Sequence, residues 1–299
     1  MTLSQKPGRP LWMGRPKPIT RAAKALALSL IVLLVLFPFW TILATSITAP
    51  EEVVANGGWV VWPQSFSFRA YTDIFEGGVI THALTVSLGI TILGTATSLF
   101  ATITLAYALA RPGVFGGKPV LIMVLFTFLF PPAMIPSYLV VKELGLLDSY
   151  PALVLPVLVN VFNLVIMRGF FQAVPTELIE AAKLDGAGEL RILTRIVLPL
   201  SKSIVAVVGL FYAVSYWNAF FNAMIYTRQD MWPVQTLMRL YVTQGASLTE
   251  NAASETGVAN SPQAVKMAVV IMATLPIVIV YPFIQRFFAK GVLSGAIKS

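Results

Sequence analysis

Between residues 168 and 202 the chain gathers five basic and four acidic side chains, although only 11% of its 299 residues are charged and 57% are hydrophobic. Within that segment Glu180, Ala181, Ala182, Asp185 and Gly186 are followed by Ile196, Leu198 and Pro199. These residue types do not break bonds; they recognise a surface. Glu180 can accept hydrogen bonds or pair with a base, Ala181 and Ala182 permit close approach, and Gly186 permits a sharp reversal. The stretch VPTELIEAAKLD reads as a short helix. It starts at Pro175 or Thr176, sets Glu177 in its positive first turn and stops at a left-handed Gly186. After Gly188, Leu190, Leu193 and Val197 share one side of a second amphipathic turn, and Pro199 precedes the next apolar run. We read the segment as a docking element for a soluble protein.

A second group of side chains suits an uncharged, hydroxyl-rich ligand. Such a ligand is held by stacking on aromatic faces and by hydrogen bonds to amides, whereas fixed charge is costly inside a bilayer. At helical spacing Tyr212, Ser215, Tyr216, Ala219, Asn222 and Tyr226 form one stripe, with Trp217 and Asn218 beside it. Asn160, Asn163 and Tyr138 can join them. For this cluster lining a pathway is the preferred reading. For Asn160 and Asn163 the preferred reading is bonding between neighbouring helices.

The elements that must carry these groups are membrane helices. Mean hydropathy is +0.80, and a soluble domain would carry roughly 25% charged residues. Six runs are free of Asp, Glu, Lys and Arg: residues 25–45, 82–110, 119–141, 150–167, 203–227 and 267–285. A helix needs about 20 apolar residues to cross the hydrocarbon core, and these runs neither shorten nor alternate as barrel strands do. The first run exceeds the apolar stretch of a signal peptide, about 7 to 15 residues, so we expect a retained anchor. Pro131, Pro132 and Pro136 in the third run, Pro156 in the fourth, and Pro276 and Pro282 in the sixth predict kinks that face protein rather than lipid.

Counted along this frame, 16 of the 21 basic residues fall on one side, which predicts that both termini are cytoplasmic. The net charge of +8 is then mostly topology and not a nucleic-acid surface. Residues 1–24 read as a basic, unstructured arm, 25–288 as the membrane domain, and 289–299 as a cytoplasmic tail. Residues 46–81 and 228–266 are external; the aromatics Trp59, Trp62, Phe66, Phe68 and Tyr71 of the first suit the membrane interface. The second reads equally as a cover over an outer mouth or as a connector.

Several functions are excluded. Ion-coupled carriers and intramembrane proteases need titratable groups at depth, and the six runs offer only His82 at the edge of one. There is no cysteine and no HExxH, so no zinc set forms. The stretch GVFGGKP has glycine spacing one residue short of a P-loop, and its lysine precedes proline rather than Ser or Thr. Energy for uphill movement therefore has to enter from a partner.

The spacing of Glu180, Ala181, Ala182, Gly186, Ile196, Leu198 and Pro199 resembles the EAA loop of permease subunits of binding-protein-dependent ABC importers, with every gap matching. From about residue 66 onward the chain is similar to the smaller, six-span permease type of maltose-like importers. The stretches YAVSYWNAFFNAMIY and YPFIQRFFAKGVLSGAIKS support this, and LRILTRIVLPLSKS with LVVKELGLLDS leans toward the oligosaccharide subgroup. The resemblance implies an all-α type I importer fold of the MetI-like kind, with six membrane helices and a coupling helix between the fourth and fifth. Its coupling loop spans residues 172–200, with Glu180, Ala181, Ala182, Asp185, Gly186, Ile196, Leu198 and Pro199 contacting the ATPase. Candidate pathway residues are Tyr212, Tyr216, Trp217, Asn218, Asn222, Asn163 and Tyr138.

The implied partners are a second permease forming a heterodimer, two cytoplasmic ATPase subunits, an extracytoplasmic solute-binding protein and a sugar. ATP and Mg would sit on the ATPase and no cofactor on this chain, which would not be an enzyme. Its place would be the cytoplasmic membrane of a prokaryote. In that family one of the two permeases can hold most of the sugar contacts. Two other readings stay open: an ABC permease for a non-sugar small solute, and a membrane scaffold with a chance match.

Overall fold

The structure, a computed structural model, describes residues 18–244 and 262–295. Residues 1–17, 245–261 and 296–299, on which most of the expected basic arm and part of the second expected external segment fall, lie outside the described residues. All named elements are helical, and the described residues add one isolated antiparallel bridge between Thr48 and Phe66.

Helix α1 (Pro18–Ser46) begins at a proline, whose missing N–H costs nothing in a first turn. It starts upstream of residue 25, so part of the segment expected to be unstructured is helical. Only Thr41, Ala44, Thr45 and Ser46 are buried, and the apolar length before them is uncovered. Helices α2 (Pro50–Ala55) and α3 (Arg69–Glu76) follow in the first external segment. There Glu52 accepts the N–H groups of Gln64 and Ser65 at 3.0 and 2.8 Å and the Ser65 hydroxyl at 2.5 Å. These donors, the Ser65 hydroxyl foremost, hold its carboxyl below the usual carboxylate value.

Helix α4 (Val79–Ala110) is the hub of the bundle. It packs against α8 (Val161–Gln172) and, most extensively, against α12 (Lys202–Trp217). The third apolar run is split into α5 (Gly117–Leu129) and α6 (Met134–Glu143). The break falls at Pro131 and Pro132, where the residue preceding a proline is driven out of the helical region. Pro136 falls in the first turn of α6 and does no such damage. The fourth run is also bent: α7 (Pro151–Val154), a tight turn at Leu155–Val157 that contains Pro156, and α8 (Val161–Gln172) meet at 54°. Asn160 caps α8, its Oδ1 accepting the Asn163 N–H at 3.1 Å.

The charged segment forms α9 (Thr176–Leu184) and α10 (Glu189–Ile192), then a π turn at Leu193–Val197 and α11 (Leu198–Leu200). Helix α12 (Lys202–Trp217) leaves this elbow at 86°. So sharp a turn takes α10 and the π turn, with Glu189, Arg191 and Arg195, out of line with α12. After a break at residues 218–220 the run resumes as α13 (Phe221–Tyr226), then α14 (Val234–Gln244) and α15 (Pro262–Gly295). Pro276 and Pro282 lie inside α15 without ending it.

By length and composition three helices among the described residues can cross a membrane, α1, α4 and Gln263–Pro282 of α15, or up to five if each bent pair is one span. The expected six-run count exceeds this because proline divides the third run into pieces too short to qualify alone. One core joins α4, α8 and α12; a second joins α3, α14 and α15 around Ile80, Trp217 and Val269.

Candidate functional site

The charged elbow is built to present one helix. Helix α9 has Glu177 in its first turn and Lys183 in its last, each facing the dipole end that suits its sign. It ends in a Schellman closure: Ala187 N–H donates to Ala182 O at 2.9 Å and Gly186 N–H to Lys183 O at 3.0 Å. Gly186 has φ +76°, and a Cβ there would meet nothing within 4 Å, so glycine is required for its backbone angle and not for space. Only Ile179 is buried in α9, and Ala182 is half-buried. Glu180, Ala181, Asp185 and Gly186 are exposed, and Leu184 is 90% exposed. The second half of the motif does the opposite: Ile196 and Leu198 are half-buried against the main core, while Pro199 stays exposed.

Along the sequence Tyr107 is one residue of an apolar run, and Arg111 and Glu189 are charges of two separate loops. The fold brings them together. Tyr107 Oη donates to Glu189 Oε2 at 2.5 Å, Arg111 Nη2 to the same oxygen at 3.0 Å, and Lys183 Nζ lies 3.1 Å from Oε1. The Tyr107 hydroxyl, then Lys183 and Arg111, hold the Glu189 carboxyl at about 2, against the opposing effect of partial burial. The signal available beforehand was spacing alone, an arginine just beyond one apolar run and a glutamate just beyond the motif glycine.

The predicted pathway stripe divides into two faces. Tyr212 and Tyr216 are buried, their hydroxyls bonded across to α4: Tyr212 to Thr102 at 2.6 Å and Tyr216 to Ser98 at 2.7 Å. Asn160 N–H also donates to Tyr212 Oη at 2.9 Å. Gly94 opens the room for the Tyr216 ring, since a Cβ there would lie 2.9 Å from it. Trp217 is buried too and donates from Nε1 to Ala273 O at 3.1 Å. Thus the bonding between helices expected of the asparagines is found in these aromatics, because a buried hydroxyl or indole N–H must find a partner. Ser215 and Asn218 remain exposed and Asn222 half-buried.

Asn163 is buried, and Tyr138 stacks on Tyr226 with ring centres 6.3 Å apart. At the break between α12 and α13, Phe220 lies under the Arg239 guanidinium at 4.5 Å, and its carbonyl accepts the Thr236 hydroxyl at 3.2 Å. A groove of about 620 Å³ runs between α4 and α7 past His82, Gly89, Leu93 and Tyr150. It is lined by none of the predicted pathway residues. No cluster of three or more His, Cys, Asp or Glu that could hold a metal occurs among the described residues.

Comparison with known proteins places this bundle in the class of membrane transport permeases. The chain is a member of the family of binding-protein-dependent transport system inner membrane components, whose model matches residues 102–294. It is 44% identical over 274 residues to the polygalacturonan/rhamnogalacturonan transport system permease protein YtcP of Bacillus subtilis, covering 91% of this chain and 95% of that one. It is 44% identical over 264 residues to protein LplC of the same organism, covering 88% and 89%. Among solved structures, a chain of a bacterial ABC transporter involved in the import of the acidic polysaccharide alginate superposes with a TM-score of 0.86 at 29% identity, covering 92% of this chain and all of that one.

Proposed function

We propose that this chain is the transmembrane permease subunit of an ATP-driven, binding-protein-dependent importer of oligosaccharides. In this reading six spans run with both termini in the cytoplasm, and α5 with α6 and α12 with α13 each act as one broken span. The chain forms half of the pathway, and a second, different permease forms the rest. An extracytoplasmic binding protein delivers the sugar to the outer mouth. ATP and Mg are held by two cytoplasmic ATPase subunits, so this chain performs no hydrolysis.

The observation that carries the reading is α9, which exposes Glu180, Ala181 and Leu184 while Gly186 fixes where it ends. We assign Glu180, Ala181, Ala182, Asp185, Gly186 and the exposed Pro199 to contact with the ATPase, and Ile196 and Leu198 to rooting the segment in the bundle. Alternating access follows if closure of the ATPase pair displaces α9 and rotates the helices attached to it.

For the substrate, Ser215, Asn218 and Asn222 offer polar groups along the uncovered face of α12 and α13, with Tyr138 near the outer end. We keep Tyr212, Tyr216, Trp217 and Asn163 as pathway candidates that act by shaping the wall. The printed names of the relatives, a polygalacturonan/rhamnogalacturonan permease and an alginate importer, favour uronate-containing oligosaccharides as the ligand class.

The test is reconstitution of the complex with its permease partner, ATPase and binding protein. Uptake of oligogalacturonate should require ATP, and changing Glu180 and Gly186 together should uncouple hydrolysis from uptake. Unchanged uptake in that double variant rejects the assignment. A panel of neutral and acidic oligosaccharides against the binding protein separates uronates from other solutes.

A further inference from the structure

How does a displacement of α9 reach the bundle? The helix itself buries only Ile179, and it is joined to the chain on both sides by turns, at residues 173–175 and 185–188. An apolar contact that thin lets the helix tilt without moving what lies above it. The continuous polypeptide leads from α9 to α12, yet the hub of the bundle is α4. A link from α9 to α4 has to be made by side chains.

The described side chains supply one. We propose that Glu189 is the positioning residue of this transporter, a carboxylate clamp that makes α9 and the end of α4 move as one body. One of its oxygens holds Lys183 of α9 at 3.1 Å; the other holds Arg111, just beyond α4, at 3.0 Å, and accepts the Tyr107 hydroxyl of α4. The proposal rests on the reading of α9 as the coupling helix and adds to it the route by which the motion travels.

Three observations support the clamp. First, Arg111 has a side chain only 13% exposed, with its guanidinium 4.7 Å over the Tyr107 ring and its Nε without a hydrogen bond. Arg111 Nη2 also donates to the Tyr107 hydroxyl, and losing the half-exposed carboxylate leaves the enclosed cation without its charged partner. Second, the end of α4 is fastened to a second helix at the same level, since Arg168 of α8 donates from Nε to Leu109 O at 2.9 Å. A push delivered to Arg111 therefore reaches α8 as well as α4. Third, the Tyr107 hydroxyl and the two cations together hold Glu189 ionised, so both of its oxygens stay acceptors through the physiological pH range.

The test uses the whole reconstituted complex and an isosteric change, Glu189→Gln, with Glu189→Asp and Tyr107→Phe as graded variants. Arg228→Gln, at an exposed pair on another part of the chain, is the charge-loss control. Sugar imported per ATP hydrolysed should fall at least fivefold in Glu189→Gln, by less in Tyr107→Phe and Glu189→Asp, and not in the control.

A second readout does not depend on activity: spin labels at residues 184 and 112, with the distance measured in the nucleotide-free and ATP-trapped states. In the native background the distance distribution should stay narrow and unchanged between states. In Glu189→Gln it should broaden or shift on ATP binding. If Glu189→Gln assembles and keeps the native ratio and a narrow distance, the clamp is wrong. Should Glu189→Gln fail to assemble, Tyr107→Phe decides by the same two measures. Failure of the underlying reading shows differently: the change at Glu180 and Gly186 would then leave uptake coupled.

Discussion

Replacing Gly186 separates backbone geometry from space at the end of α9, the proposed coupling helix. The residue sits at φ +76°, and a Cβ added to it would have no neighbour within 4 Å, so any side chain fits and only the angle objects. Placing an ordinary L-residue in the left-handed region costs roughly 1–2 kcal/mol, whereas asparagine visits that region with much less strain. At 1.4 kcal/mol per tenfold, that cost shifts the closed helix end toward opened forms by about 5- to 30-fold. The Schellman bonds from Gly186 to Lys183 and Ala187 to Ala182 are what would open. Sugar uptake per ATP in reconstituted vesicles should therefore rank Gly above Asn above Ala, with Gly186→Ala retaining assembly because no core contact is touched. A ranking with Asn below Ala, the order expected if side-chain volume mattered, refutes the reasoning; so does full coupling in Gly186→Ala.

Gly94→Ala should lower the thermal stability of the complex by about 1–3 kcal/mol, the usual cost of overpacking, because its Cβ meets the Tyr216 ring at 2.9 Å; Gly209→Ala, with its neighbour at 3.6 Å, should be nearly silent in the same melt. Tyr212→Phe leaves Thr102 and the Asn160 N–H without that oxygen and should cost about 1–3 kcal/mol in stability, whereas Asn218→Ala should raise the KM for sugar uptake with little change in melting temperature. Glu189 has a folded value of about 2, below the ordinary carboxylate value of about 4.3, so its stabilisation is complete above that ordinary value and is lost as pH falls toward 2. The stability difference between the native complex and Glu189→Gln should be constant from about pH 5.5 to 8 and shrink below about pH 4; a difference that grows on acidification contradicts the assignment.

The helix ends around the EAA motif were legible in the sequence because the residues that set them act through the backbone or their immediate surroundings. Gly186 announces a left-handed stop, Glu177 a helix start, and the fold realises both. Apolar runs were legible as membrane helices, but their continuity was not. Whether a proline ends a helix depends on what lies around it: Pro131 and Pro132 break one run, while Pro276 sits inside an unbroken helix. The facing of the α12 aromatics was lost for a related reason. Tyr212 and Ser215 share a stripe by spacing, but which edge of that stripe turns inward is decided on α4, by Gly94, Ser98 and Thr102. The Glu189 clamp joins positions 78 residues apart, and no local pattern reports such a pairing.

The protein contains no cysteine, so a single one can be placed at will. Cysteines carrying a photoactivated cross-linker at residues 180, 184 and 179 of the assembled transporter test directly whether α9 docks on the ATPase. Positions 180 and 184, which are exposed, should cross-link to the ATPase subunit in high yield, and position 179, which is buried, should not. Absence of a cross-link at both exposed positions, in complexes that still import sugar at the expense of ATP, would contradict the assignment of α9 as the coupling helix.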